Sequence, residues 1–344
     1  MPRHRLLALA LVLLLPIACR DGAVPVSPST PVPDGAAVRD LGTQEPVAFV
    51  PRDYPTIQSA VDAAPEGSTI MVAAGIYQQN VLIETSHLRL VGAGGDVILE
   101  GSMLPGNGLP ALTGIGIHVL GSSAAARITD VEVSHFEVRN YVRGIVVQFA
   151  TGVVVSHNYV HDNVDRAGSL VLGNGTGVEL VTTSASEVSH NTLDHNGLGG
   201  VQLRVGSADN EVRDNRMEQN GWQSPTLAGV GLMATGAGTN DNRIEHNTIL
   251  DNWGRGIMVA RPLGTTPLIS GTYVAYNEAH GNQRAGIAIM DAATGNTAVH
   301  NDARGNNLSG LPPCYRCNLF DNSVGVNTWE DNLGTFSGTD ACAP

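Results

Sequence analysis

Two motifs that alternate along the chain, and a composition poor in helix-forming periodicity, predict an all-β solenoid. The expected form is a right-handed parallel β-helix of roughly nine coils with a short N-terminal capping helix. The first motif is an apolar residue, two positions, Asn, four positions, Asn. VSHNYVHDN places it at Asn158 and Asn163, and VSHNTLDHN at Asn191 and Asn196. The same offset recurs at Asn215 and Asn220, Asn247 and Asn252, Asn277 and Asn282, Asn301 and Asn306, and Asn327 and Asn332. The second motif is a Gly followed by two apolar residues around a variable one: GIVV at 144, GVEL at 177, GVQL at 200, GVGL at 229, GIMV at 256 and GIAI at 286. Such alternation marks a half-buried strand. Short Val- and Ile-rich segments punctuated by Gly and Asn do not supply the helix pairs of ankyrin or TPR arrays.

The elements follow in chain order. MPRHRLLALALVLLLPIAC sets Arg3 and Arg5 ahead of an apolar run from Leu6 to Ile17 and reads as an export signal. It resembles a bacterial lipoprotein signal, which implies acylation at Cys19, with Pro16 departing from the usual leucine; an ordinary cleaved signal or a short anchor is the alternative. Residues 20–50 hold five prolines and little apolar pattern, a semi-extended tether. The solenoid is therefore expected over 51–344. In YPTIQSAVDAAPEG, Ile57, Ala60, Val61 and Ala64 fall at i, i+3, i+4 and i+7, a short capping helix ending at Pro65. Successive first asparagines of the repeat lie 33, 24, 32, 30, 24 and 26 residues apart, so the coil core is regular while loops at 164–176, 221–228 and 261–270 vary. Each coil stacks on the next at about 4.8 Å. The asparagines then stack too, each taking the left-handed conformation at a bend and bonding the amide of the next coil.

The stretch from Tyr54 to Gly94, with YPTIQSAVDAAPEGSTIMVAAGIY and LRLVGAG, resembles the N-terminal start of pectate-lyase-like and pectin-esterase-like β-helices. The later coils resemble bacterial right-handed parallel β-helix repeat proteins, and together the resemblance covers about 85% of the chain. It implies the fold and leaves the activity open, since that superfamily holds lyases, hydrolases, esterases, epimerases and proteins without known catalysis.

Charge narrows the partners. All 19 basic residues are Arg, and 32 acids leave a formal charge of -13, which argues against nucleic acid. The absence of Lys excludes the catalytic lysine of some β-helix lyases. No apolar run of 18 residues follows the N-terminal segment, so no further membrane span is expected. Among Cys314, Cys317 and Cys342 a bridge is permitted in an oxidising compartment, its pairing left open.

Read from the Gly motif, two columns are expected to point outward into a shallow groove. One runs Val146, Glu179, Gln202, Gly231, Met258, Ala288, the other Gln148, Val181, Arg204, Met233, Ala260, Met290. Glu179 is the candidate general acid or base, and Arg204 would neutralise a uronate carboxylate or a developing enolate. Gln148, Gln202 and Arg255 are candidate substrate-binding residues, with Trp222 and Trp253 as stacking platforms on one edge. Asp162, Asp165 or Asp194 would supply the second carboxylate a hydrolase needs. Plain solvated strand surface is the competing reading. His157, His190, His246 and His300, with Asp214 and Tyr276, form a column before the ladder asparagines that the repeat itself explains. No cofactor is identified, Ca2+ staying open. The expectation is an exported, lipid-anchored monomer of the cell envelope that binds or processes polysaccharide, the alternative being a non-catalytic surface scaffold.

Overall fold

The computed structural model describes residues 46–101, 114–165, 174–223, 230–260, 269–291, 293–308, 317–323 and 326–338. The leader with Cys19, most of the proline-rich stretch, Cys314 and Cys342 lie outside the described residues. Within them the chain winds into coils with three strand-bearing faces, and every pairing between its strands is parallel. Face one stacks Glu132–Ser134, Val154–Ser156, Glu187–Ser189, Glu211–Arg213, Arg243–Glu245, Tyr273–Ala275, Thr297–Val299 and Thr328–Glu330. Face two stacks Glu137–Arg139, Tyr159–His161, Thr192–Asp194, Arg216–Glu218, Thr248–Leu250 and Glu278–His280. The longer early strands Thr69–Tyr77 and Arg89–Glu100 pair in two registers. Face three is a separate ten-strand stack: Val81–Ile83, Ile115–Leu120, Arg143–Thr151, Thr176–Ser184, Gly199–Arg204, Val230–Thr235, Arg255–Ala260, Ile287–Met290, Leu319–Asp321 and Phe336–Gly338. This is the parallel β-helix expected from the repeats.

Each face sends a column of apolar side chains inward. On the coil at residues 154–181 these are Val155, Val160, Val178 and Leu180, all fully buried, and one continuous core runs from Val50 to Leu319. At about 1.5–3 kcal/mol per buried aliphatic side chain, this stack is the main favourable term of folding. The first coil is closed by helix Ile57–Ala63, which buries Ile57, Ala60 and Val61 and is capped by a reciprocal Thr56–Ser59 hydrogen-bond pair. The solenoid begins earlier than the composition suggested: Val47–Val50, inside the stretch read as tether, pairs with Thr69–Val72.

The corners explain the asparagines. At the first corner, Asn158, Asn191, Asn215, Asn247, Asn277, Asn301 and Asn332 form one unbroken ladder. Each Nδ2 donates to the next Oδ1 at 2.8–3.1 Å. The same oxygen accepts the backbone N–H of the preceding asparagine. From Asn191 to Asn301, Nδ2 also donates to a carbonyl of face one. A second ladder links Asn163, Asn196, Asn220, Asn252, Asn282 and Asn306. A third, not recognised in the sequence, runs through Asn210 and Asn242 and again through Asn296 and Asn327 at the remaining corner.

Two expectations are corrected. The left-handed residue is the one before the asparagine (His157 at φ 58°, His190 at φ 56°, His246 at φ 55°), not the asparagine itself. A left-handed non-glycine residue turns the chain at a cost of about 1–2 kcal/mol, and the satisfied amide behind it offsets that cost. The last motif copy is also split: Asn332 continues the first ladder while Asn327 belongs to the third. Outside the first corner the preceding side chains stack as well. His135, His157 and His190 lie nearly parallel at ring-centroid separations of 5.1 and 5.0 Å, and Tyr276 stacks between His246 and His300 at 5.1 Å on each side.

Asn191→Ala removes the acceptor of two buried donors of Asn158. The expected loss is about 2–6 kcal/mol, from about 1–3 for each orphaned group, read as a lowered urea midpoint. The same change at the half-buried last rung, Asn332, should cost less.

Candidate functional site

Register decides which side chains meet on the outside of face three. Val201 pairs with Leu232 and Gln202 with Met233, so Gly231, not Gly229, stands in line with Gly200 and Gly256. The column read from GVGL is thereby corrected by two residues. Met233 neighbours Gln202, and Thr235 neighbours Arg204. Glycine is needed at this position because a Cβ at Gly177 would lie 2.8 Å from the Gly200 carbonyl oxygen and 2.9 Å from the ladder amide of Asn196.

The corrected column runs His118, Val146, Glu179, Gln202, Met233, Met258, Ala288, Phe320. The column is covered, and is not plain solvated strand surface: Val146, Glu179, Gln202 and Ala288 are fully buried, and Met233 and Met258 nearly so. The column has two chemical halves. From Met233 onward it is apolar, with Met233, Met258, Ala260 and Met290 in one cluster and Ala288, Phe320 and Met290 in another. From His118 to Gln202 it is polar except for Val146.

Glu179 lies at the centre of the polar half. One carboxylate oxygen accepts from Arg143 at 3.1 Å and the other from Arg204. The expected pairing of Glu179 with Arg204 is present, and both acceptor atoms of the carboxylate are engaged. Arg143 begins its strand one residue before Gly144, outside the columns read from the sequence, and so went unnoticed. His118 was missed although GIHV at 116 fits the Gly motif. It shares a hydrogen bond with Gln148, and its Nε2 is buried without a partner. Burial first of all, and the Arg143 cation second, press the His118 pKa below the ordinary histidine value, against Gln148 and Glu179, which raise it.

Several polar atoms here have no partner. Arg143 Nε, Thr176 Oγ1, and both amide atoms of Gln202 are buried without a hydrogen bond, as is His118 Nε2. Thr176 lies directly beside Arg143 in the sheet, and Gln202 directly beside Glu179. Leaving aside Asp194, whose Oδ1 meets His195 at 2.8 Å, seven described residues have such buried, unpartnered side-chain atoms, and these four are gathered on four adjacent strands.

The other candidates lie apart. Trp222 and Trp253 are half-exposed, at 44% and 50%, on the edge after the second ladder, and the Trp222 indole N–H donates to the His195 carbonyl. Arg255 is buried with its guanidinium 3.7 Å from the Met258 sulfur. It is level with Thr176, three strands or about 14 Å further along the stack. Asp162 pairs with His161 and Asp194 with His195, each at 2.8 Å. Asp165 is held by Asn174 and by both ends of the Gln223 amide. Among the described residues no group of three or more His, Cys, Asp or Glu is arranged to hold a metal ion.

The profile of the family described as a right handed beta helix region matches residues 97–261 and 226–337. No curated protein matches the chain significantly. Among solved structures, the chain is similar to XylC in complex with xylose, at 10% identity and TM-score 0.59, over 84% of this chain and 70% of that one. It is also similar to a double mutant of the periplasmic alginate epimerase AlgG, at 16% identity and TM-score 0.54, over 78% and 61%. A third is the DFA-IIIase of Arthrobacter chlorophenolicus A6 in complex with DFA-III, at 16% identity and TM-score 0.50, over 79% and 66%. At these identities the likeness is one of fold.

Two predictions follow from the site's electrostatics. Arg143→Gln or Arg204→Gln alone leaves Glu179 one cation, whereas the double variant strands a buried carboxylate. A urea double-mutant cycle should show the double variant at least about 1 kcal/mol less stable than the sum of the singles. For His118, a folded-state pKa below the unfolded value of about 6.5 means that the unfolded chain binds more protons. Its contribution to stability is therefore complete above that value and is lost as pH falls through the window below it. His118→Gln should flatten this part of the stability–pH curve, measured by thermal melting from pH 7 to 4.5.

Proposed function

The chain belongs to the right-handed β-helix family, and from that premise we propose that it binds or processes polysaccharide at the polar half of the outer column of face three. The observation that carries this reading is the concentration of buried, unpartnered polar atoms at His118, Arg143, Thr176 and Gln202. Native proteins leave few such groups, and a cluster of them marks a place where a ligand completes the hydrogen bonding. Sugar hydroxyls, each both donor and acceptor, suit an amide, a hydroxyl and an imidazole nitrogen together. The fold is shared with proteins solved bound to xylose and to DFA-III and with an alginate epimerase, which supports the same reading.

In this assignment Glu179 is the counter-ion that aims Arg143 and Arg204, because both of its oxygens are committed to them. Arg204, Gln202 and Gln148 remain binding residues, and His118 joins them. Trp222 and Trp253 offer exposed ring faces on the same edge as the start of face three. The N-terminal Arg-flanked apolar run with Cys19 supports export and lipid anchoring in the cell envelope. The competing reading is a non-catalytic scaffold, favoured by the apolar second half of the column.

Purified protein incubated with a panel of neutral and uronate-containing glycans separates the two. The expected result is saturable binding, new reducing ends or unsaturated products with at least one glycan. Gln202→Ala and Arg204→Ala should weaken it by about tenfold or more, a loss of about 1.4 kcal/mol or greater, with the β-type circular dichroism retained. No binding and no product across the panel would favour the scaffold.

A further inference from the structure

We infer that His118 recognises the ligand as a hydrogen-bond acceptor: its neutral ring takes a bond from a saccharide hydroxyl at Nε2, so that acidification releases the ligand. His118 acts here within the polysaccharide site proposed above, and its role rests on that reading. The bonds of the ring fix its tautomer. Nε2 is buried without a partner, so the bond shared with Gln148 falls on Nδ1. That bond raises the His118 pKa, as an amide oxygen does when it accepts from a ring N–H, whereas an amide nitrogen donating to the ring would lower it. Nδ1 therefore holds the proton, and Nε2 presents a lone pair.

The surroundings keep the ring neutral and leave that lone pair to a donor from outside the chain. In the sheet His118 lies between Leu82 and Val146, and its outward neighbours on its own strand are Gly116 and Leu120, so no side chain among these four donates a hydrogen bond or carries a charge. On the described strands beside it, the charged groups that act on the ring are Arg143 and Glu179. Burial is the largest influence and Arg143 acts with it, both against a second ring proton; Glu179 favours that proton, but its two oxygens are committed to Arg143 and Arg204. Arg143 Nε is likewise buried without a partner, so a lone pair and an N–H stand unmet on adjacent strands. A hydroxyl suits both, donating to the first and accepting from the second, whereas a carboxylate or a sulfate ester has no proton to offer Nε2.

The test titrates a xylo-oligosaccharide and an alginate oligosaccharide into the protein at constant salt, from about pH 7.5 down to about pH 4.5, across the range where histidine takes up its proton. A ligand that occupies the lone pair competes with that proton, so affinity is complete above the His118 pKa and falls below it by at most about tenfold per pH unit. For the glycan that binds, the wild type should lose at least about threefold over the series. His118→Gln offers an acceptor that does not titrate and should bind more weakly than wild type at pH 7.5 with affinity nearly constant over the series. His118→Phe, which has no acceptor, should be weaker by about tenfold or more at pH 7.5. Nitrogen NMR of the assigned His118 ring in the free wild-type protein should show the proton on Nδ1 at pH 7.5. A proton on Nε2, wild-type affinity that is flat or rises on acidification, or a pH dependence that survives in a folded His118→Gln protein would overturn the inference while leaving carbohydrate binding intact. The last of these would place the titrating group elsewhere, such as His195 on the Trp222 edge. Absence of binding to both glycans at pH 7.5 would overturn both readings. The NMR measurement and the wild-type series need no variant, so the test stands even if His118→Gln and His118→Phe fail to fold.

Discussion

The structure depends on keeping a polar amide inside a corner. Where the chain turns between faces it cannot bury carbonyls and N–H groups without partners, and the turn itself breaks the sheet ladder that would satisfy them. An asparagine side chain folded inward supplies both an acceptor and a donor, so it bonds the coil on either side and caps stray carbonyls at the same point. Once one coil adopts this corner, the next is offered a matching acceptor one strand spacing away. The ladder thus ties residues 24 to 33 apart in sequence into vertical neighbours, and the parallel strands and the apolar columns inherit their register from it.

That constraint explains what could be read from the sequence. A side chain required in every coil leaves a repeated letter, and the two main ladders and the Gly strand are repeated letters. The third ladder was harder to see because its rungs are not uniform: Ser186 precedes Asn210, and Thr272 stands between Asn242 and Asn296. The misread at GVGL has a related cause. Two glycines, Gly229 and Gly231, both fit the motif, and only hydrogen-bond pairing with Gly199–Arg204 decides between them. The split of Asn327 from Asn332 is of the same kind, since equal spacing within one segment hid the fact that the two residues serve different corners.

The site was legible only in part. The contact of Glu179 with Arg204 followed from strand spacing, because two adjacent outward positions must meet. Arg143 could not be found by the same rule, for it reaches the column from the position before the glycine, where the chain is still entering the strand. His118 had the right motif but stood in the early, irregular coils and lacked the flanking asparagines that drew attention elsewhere. Burial of the outer column was illegible for a physical reason: pattern distinguishes the two faces of a strand, but it does not tell whether the outer face is covered.

A solenoid separates its structural from its functional code more cleanly than a globular domain does. Inward side chains, corner glycines and ladder amides are constrained in every coil, so their identity reports stability alone. The outward columns carry no such demand, and there the repeat is silent. It follows that the informative outward residues are the ones that break their column's habit. The corner histidines do not: His135, His157 and His190 repeat the same position with the same stacked geometry, the pattern of a turn that tolerates a flat side chain outside. The outer column of face three does break its habit. Apolar from Met233 onward, it places a histidine, a carboxylate and an amide on its earlier strands, with two arginines converging on that one acid from different positions. Nothing in the stacking of coils asks for a buried carboxylate there, and the unsatisfied atoms around it make it costly to keep. A costly, non-repeating arrangement on a scaffold that is otherwise repetition is best accounted for by the ligand that would complete it.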